Sequence, residues 1–180
     1  APSSSPDPSI NVSPTSHDFG GVTVGTSADR NFTVKNIGGG TLSGNASTSA
    51  PFSIVAGGAY NLGPGQAQTV TVRFSPNSAG TFMGNVAFTG GGAVSRTVTG
   101  IGVSQNSLTV SKVGTNNGTV TSNPPGIVCG ADCSEFYNSG MVVTLTAAPA
   151  SGSLFAGWSG CDSALGTTCN VTMTADRTVT

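Results

Sequence analysis

Short runs of alternating apolar and polar residues, each closed by Gly, Pro or Asn, constrain this chain more than any other feature. The clearest spans Ala67 to Phe74, with Val70, Val72 and Phe74 on one parity and Thr69, Thr71 and Arg73 on the other. A period of two belongs to a strand with one buried face. Phe32 and Val34 alternate with Thr33 and Lys35, and Phe82, Val86 and Phe88 share a parity with Gly84 between them. Pro64-Gly65, Ser75-Pro76-Asn77 and Gly90-Gly91-Gly92 read as turns. Six to eight such strands in about 95 residues predict an antiparallel sandwich over residues 10–104.

The pattern restarts after a joint near Ser104 to Ser107. Leu108–Val113, Thr119–Ser122, Ile127–Cys129, Met141–Ala147 and Cys169–Thr174 read as strands of a second, smaller β domain over 105–180. The first nine residues, APSSSPDPS, hold three prolines and four serines and read as a polyproline-like leader. The fold class is therefore all-β. The chain begins at Ala1 without an initiator Met, as expected of a processed or excised chain.

Composition narrows the function. Only 7 % of residues are charged, against about 25 % in ordinary domains, so 24 Ser, 24 Thr and 27 Gly must wet the surface. Six Lys and Arg spread along the chain make no basic patch, which argues against nucleic acid. No apolar run approaches the roughly 20 residues of a membrane helix, so membrane insertion is not expected. A hydrophobic content of 36 % at a net charge of −1 supports a core rather than disorder.

Candidate chemistry is sparse. Cys129, Cys133, Cys161 and Cys169 are an even set, which favours disulfides and an oxidising, extracellular setting. Four cysteines allow three pairings, and spacings of three and seven intervening residues suit a four-thiolate zinc site poorly. Trp158 reads as a core block of a small domain, with a sugar-stacking platform, joined by Tyr137 or Tyr60, as the rival reading. Asp132, Glu135 and Asp162 lie near the cysteines but lack the oxygen count and spacing of a calcium loop, and the small modules leave little room for a glycosidase cleft. His17 sits between Ser16 and Asp18, but neighbours on a strand point to opposite faces and build no triad; it reads as a turn residue. Lys112 with an Asn and Glu135 is the one set that an isopeptide cross-link would use. No catalytic residue, metal site or cofactor is expected. Five Asn-x-Ser/Thr sequons (Asn11, Asn31, Asn45, Asn117, Asn170) mark glycosylation only in a host with that machinery.

Two resemblances sharpen this. The segments "FGGVTVGTSADRNFTVKNIGGGTLS", "PFSIV", "LGPGQAQTVTVRFSPNSAGTFMGNVAFTG" and "VTGIGV" resemble the abnormal-spindle/Hydin (ASH) type of immunoglobulin-like domain over about 10–104. The Val72-to-Phe82 stretch, V-x-F-x-P-x-x-x-G-x-F, is the most specific part. Gly118-Thr-Val, Pro125-Gly-Ile, Cys129-x-x-x-Cys133, Val143-Thr-Leu-Thr-Ala and Phe155-x-Gly-Trp158 resemble the bacterial repeat domain related to internalin B-repeats over about 107–180. The first resemblance implies an immunoglobulin-like sandwich and a surface or scaffolding module. The second implies the local pairings Cys129–Cys133 and Cys161–Cys169, and a last strand cut short at Thr180. Together they lead to the expectation of a non-catalytic bacterial surface or appendage protein. It would associate with itself or with other surface proteins, as a filament subunit joined through strand edges and termini. The leader is expected to be ordered, held by a neighbouring subunit. An adhesin or polysaccharide-binding accessory region is the alternative.

Overall fold

The computed structural model describes residues 7–114 and 117–180. Leader residues 1–6, and with them most of the expectation that the leader is ordered, lie outside the described residues. The strands are β1 (Ile10–Ser13), β2 (Ser16–Thr23), β3 (Ala28–Asn36), β4 (Leu42–Ser47), β5 (Phe52–Ala56), β6 (Ala59–Leu62), β7 (Ala67–Phe74), β8 (Gly80–Phe88) and β9 (Val94–Val103). They continue as β10 (Gln105–Val110), β11 (Gly118–Asn123), β12 (Val128–Cys129), β13 (Ser134–Asn138), β14 (Val142–Pro149), β15 (Ser163–Leu165), β16 (Thr168–Thr172) and β17 (Arg177–Val179). No helix occurs among the described residues. The chain divides into two compact units between Val103 and Ser104.

The first unit is a sandwich of a four-stranded sheet, β1-β3-β7-β5, and a five-stranded sheet, β2-β9-β8-β4-β6. Most pairs are antiparallel, and β2 runs parallel to β9. The period-two reading holds residue by residue: Phe32, Val34, Val70, Val72, Phe74, Val86 and Phe88 are buried, while Phe82 is only half-buried. Rings from both sheets meet in this core. Phe74 stacks on Phe52 at 4.9 Å between centroids and touches Phe19 and Phe82 at 5.7 Å.

Two glycines exist to admit these rings. A Cβ at Gly84 would lie 2.9 Å from the Phe52 ring, and one at Gly100 would lie 2.5 Å from the Phe74 ring. Both distances are far inside van der Waals contact, so the aromatic core requires bare backbone there. Gly84 breaks the apolar parity of β8 for that reason.

In the second unit, β13-β10-β17 and β12-β11-β14-β16-β15 enclose Leu108, Ile127, Leu145, Val171 and Met173. Three strands carry no clear alternation in the sequence. β15 (SAL) is exposed at all three positions, β17 is three residues long, and in β13 Phe136 faces out while Tyr137 faces in. The strand expected over Leu108–Val113 instead spans Gln105–Val110. Ser111 N–H donates the last bond to Val179 O at 2.8 Å, and the chain then leaves the sheet. His17 is likewise corrected: it lies within β2 rather than in a turn, its Nε2 2.8 Å from Asn31 O and its ring edge-on to Phe32.

Candidate functional site

The chemistry-bearing side chains do not converge. Among the described residues, no three of His, Cys, Asp or Glu lie close enough to hold a metal ion. Asp132 Oδ1 accepts from Ser134 N–H and Glu135 Oε1 from Phe136 N–H, so each acid bonds the backbone beside it. Lys112 Nζ donates to Gly118 O at 2.9 Å, a backbone contact rather than an approach to Glu135.

The second unit holds two disulfides, Cys129–Cys133 and Cys161–Cys169, and no free cysteine. Cys129 and Cys169 are fully buried and form part of the core, so each clip ties a loop to it. The Cys161–Cys169 loop is fixed further by Asp162. Its carboxylate accepts from Thr172 N–H and from Arg177 Nη2 at 2.8 Å. The backbone bond from Thr172 first, and the Arg177 bond second, hold this carboxyl below its usual 3.8.

Tyr137 cannot serve as a stacking platform, and that reading is corrected. The residue is 4 % exposed, and its hydroxyl donates to Ser122 Oγ at 2.7 Å. Burial pushes its pKa above 10.0. Its ring closes the core beneath the Pro124–Ile127 turn and has no free face. Tyr60 is buried too, its hydroxyl donating to Thr89 O at 2.6 Å.

Trp158 is half-buried, tilted against Phe155 at 5.3 Å between centroids, and packed on the second core. Its indole Nε1–H is buried and has no hydrogen-bond partner among the described residues. The indole N–H is donor-only and normally finds an acceptor when buried. Trp158 also lines a pocket of about 320 Å³, with Val110, Val120, Ala147, Leu154 and Phe155 among its walls. Among the described residues, Lys112 is the only charged side chain lining it. Leu154 stands 96 % exposed and Val113, also on the pocket wall, 79 %.

Sheet edges are the other candidate surface. The edge strands β1, β5, β6, β12 and β15 carry no Asp, Glu, Lys or Arg, and β2, β13 and β17 carry one each. Some edges are spoken for. Arg96 Nε and Nη2 donate to Val12 O on β1, and Gln68 Nε2 donates to Ala59 O on β6. β5 is open: among the described residues, Ser53, Ile54 and Val55 make no hydrogen bond outside the ladder with β7. Val55 is 42 % exposed there.

One further side chain organises the first unit and was not singled out in the sequence. Asn36, fully buried, accepts from Ser9 N–H and Gly38 N–H and donates to Gly40 O and Leu62 O. It fastens the end of the leader to the β3–β4 loop and to β6. The available signal was an Asn at a strand end followed by Gly38-Gly39-Gly40, where the side chain must supply hydrogen bonds that the loop backbone lacks.

These features define a class: a two-unit, all-β chain in which an immunoglobulin-like sandwich precedes a disulfide-clipped β unit. The chain belongs to the HYDIN/CFA65/VesB-like family of Ig-like domains, whose pattern matches residues 8–100, and residues 108–180 match the divergent InlB B-repeat domain. Both resemblances read from the sequence motifs are thereby borne out. No curated protein matches the chain. Similar solved structures include the ASH/PapD-like domain 7 of human CEP192, at 13 % identity and a TM-score of 0.45, covering 54 % of this chain and 87 % of that one. The VesB protease of Vibrio cholerae is similar at 15 % identity and a TM-score of 0.37, covering 53 % of this chain and 32 % of that one. The secreted serine protease VesC of Vibrio cholerae is similar at 14 % identity and a TM-score of 0.41, covering 96 % of this chain and 43 % of that one. The chain spans less than half the length of either protease structure.

Proposed function

We propose that this chain is a non-catalytic, extracellular structural module of a bacterial surface or appendage that associates with further copies through β-strand edges. The pair of domain types fits a bacterial surface module, and two disulfides fit an oxidising compartment. The observation that carries the reading is the β5 edge. An unpaired, uncharged strand with an exposed Val is a template for addition of another strand. Proteins that stay monomeric usually guard such edges with Lys, Pro or a covering loop. β5 carries no charge, and its bulge between Ile54 and Ala56 leaves Phe52–Ile54 as the regular stretch of edge open to pairing. A head-to-tail version of this contact builds a filament where its rotation does not close into a ring.

The test is self-association of the intact chain, by sedimentation and electron microscopy, against Val55→Lys. Val55 is exposed, so the substitution leaves the core alone and places a charge on the edge. Concentration-dependent assembly that Val55→Lys suppresses is the expected result. A monodisperse monomer at every concentration, or assembly indifferent to the substitution, refutes the reading.

A further inference from the structure

We infer that Asn117-Gly118 is a self-modifying site. The Gly118 backbone nitrogen attacks the Asn117 side-chain amide, ammonia leaves, and water opens the resulting succinimide to aspartate or isoaspartate. The inference concerns the second unit alone and stands apart from the self-association reading.

Such a reaction needs an accessible Asn amide and, one residue on, an unhindered nitrogen whose N–H is uncommitted. Asn117 is exposed, and its side chain makes no hydrogen bond among the described residues. Gly118 opens β11 opposite Pro149 on β14. Ala150 N–H donates to Asn117 O at 3.0 Å, which makes Gly118 and Pro149 a non-hydrogen-bonded pair of the antiparallel ladder. The Gly118 N–H therefore points away from β14. On its other side β12 pairs only with Val120 and Thr121, so no strand takes up this N–H among the described residues. Glycine leaves the nitrogen unhindered, and the fold demands glycine here, because a Cβ would lie 2.9 Å from Ala148 O. Two contacts favour loss of the Gly118 proton. The bond from Ala150 N–H stabilises the charge that moves onto Asn117 O when the amide ionises. The Lys112 ammonium, bonded to Gly118 O at 2.9 Å, sets a positive charge one peptide further on.

In the first step a bond forms between Gly118 N and Asn117 Cγ while the bond from Cγ to the side-chain nitrogen breaks. That nitrogen leaves as ammonia, carrying the proton that Gly118 N gave up. Water then adds to one of the two ring carbonyls. Addition at Cγ gives ordinary aspartate. Addition at the main-chain carbonyl carbon leaves the chain running through Cγ, as isoaspartate. Water is the only co-reactant. Either product carries a carboxylate where the sequence has an amide. Asn117 and Lys112 both line the Trp158 pocket, so the change sets an acid on the same rim as the lysine. Isoaspartate also displaces the carbonyl that Ala150 N–H holds, and so loosens the first pairing of β11 with β14.

The test is incubation of the intact folded chain in mildly alkaline buffer, followed by ion exchange and by peptide mapping with mass spectrometry. Comparators lie in the same chain. Asn45 and Asn138 are exposed, but the N–H that follows each is taken: Ala46 N–H by Gly58 O at 2.7 Å and Ser139 N–H by Ser104 O at 2.9 Å. Stripping a backbone group of such a bond costs about 1–3 kcal/mol, so Asn117 should convert roughly 5- to 150-fold faster than either. The rate should rise in proportion to hydroxide, and the products should be a mixture of aspartate and isoaspartate. Asn117→Gln, which has to close a larger ring, should abolish the early acidic species and leave the Trp158-monitored midpoint where it was. Three results overturn the inference. One is an acidic species that persists in Asn117→Gln. Another is an Asn117 that keeps its amide in the folded chain while the urea-unfolded chain converts there. The third is conversion no faster than at Asn45 and Asn138.

Discussion

Replacing Asn36 by Ala strips four backbone groups of their partners at once. The bond to Leu62 O, at 3.0 Å, is fully buried; those with Ser9 N–H, Gly38 N–H and Gly40 O are partly buried. A buried group left unsatisfied costs about 1–3 kcal/mol, and a partly buried bond that water can replace contributes about 0.5–1.5 kcal/mol. The total is about 2.5–7.5 kcal/mol, a large share of the 5–15 kcal/mol that typically holds a domain together. For a unit of this size that lowers the midpoint by on the order of tens of degrees. Thermal and urea unfolding followed by circular dichroism would measure it. The protein supplies its own control, because its one tryptophan lies in the second unit. The transition seen by Trp158 fluorescence should stay where it was while the first unit's transition falls. Asn36→Asp adds a second signature. Its carboxylate would face Gly40 O and Leu62 O, so its folded pKa is raised and the loss deepens as pH climbs above about 4. A loss under about 1 kcal/mol, or a Trp158 transition that moves equally, would show that Asn36 is not the latch of the first unit.

Two further outcomes follow from the second unit. Removing the Cys161–Cys169 clip with paired Cys→Ala substitutions should cost about 2.6 kcal/mol from loop entropy and lower the Trp158-monitored midpoint by on the order of 10–20 °C; a shift of a degree or two would show that the clip adds nothing. Because Asp162 titrates below 3.8 in the folded state, its contribution is present above that pH and fades as pH falls through the folded value. Asp162→Asn should therefore flatten the acid limb of stability in the second unit, read by Trp158 fluorescence against pH, and an unchanged acid limb would refute this.

How much was legible in the sequence depended on how much apolar side chain each segment carried. The runs around Val70, Val72 and Phe74 and around Phe32 and Val34 lie in the core by parity alone, because one face of a strand is buried and the period admits no other placement. The long strand over 142–149 was visible for the same reason. β15 was not, since three exposed residues leave no pattern and only the ladder to β16 holds them extended. Ser111–Val113 read as strand by propensity, but the partner β17 ends at Val179 and the ladder ends with it.

The candidate sites divide the same way. The cysteines, Trp158 and the Pro-rich leader stand out in any reading, because each is a rare residue type or a dense cluster. What they do is not written there. Tyr137 and Trp158 share an aromatic label, yet one is sealed with a bonded hydroxyl and the other lines a pocket with an unpartnered N–H. The openness of β5 and the buried network of Asn36 are likewise facts of tertiary placement. By itself the sequence determined that the chain is all-β, built in two parts and poor in charge, because composition and period are local properties. Which edge is left bare, which donor is left unpaired and which Asn is buried depend on residues distant in sequence, and only the folded chain brings those together.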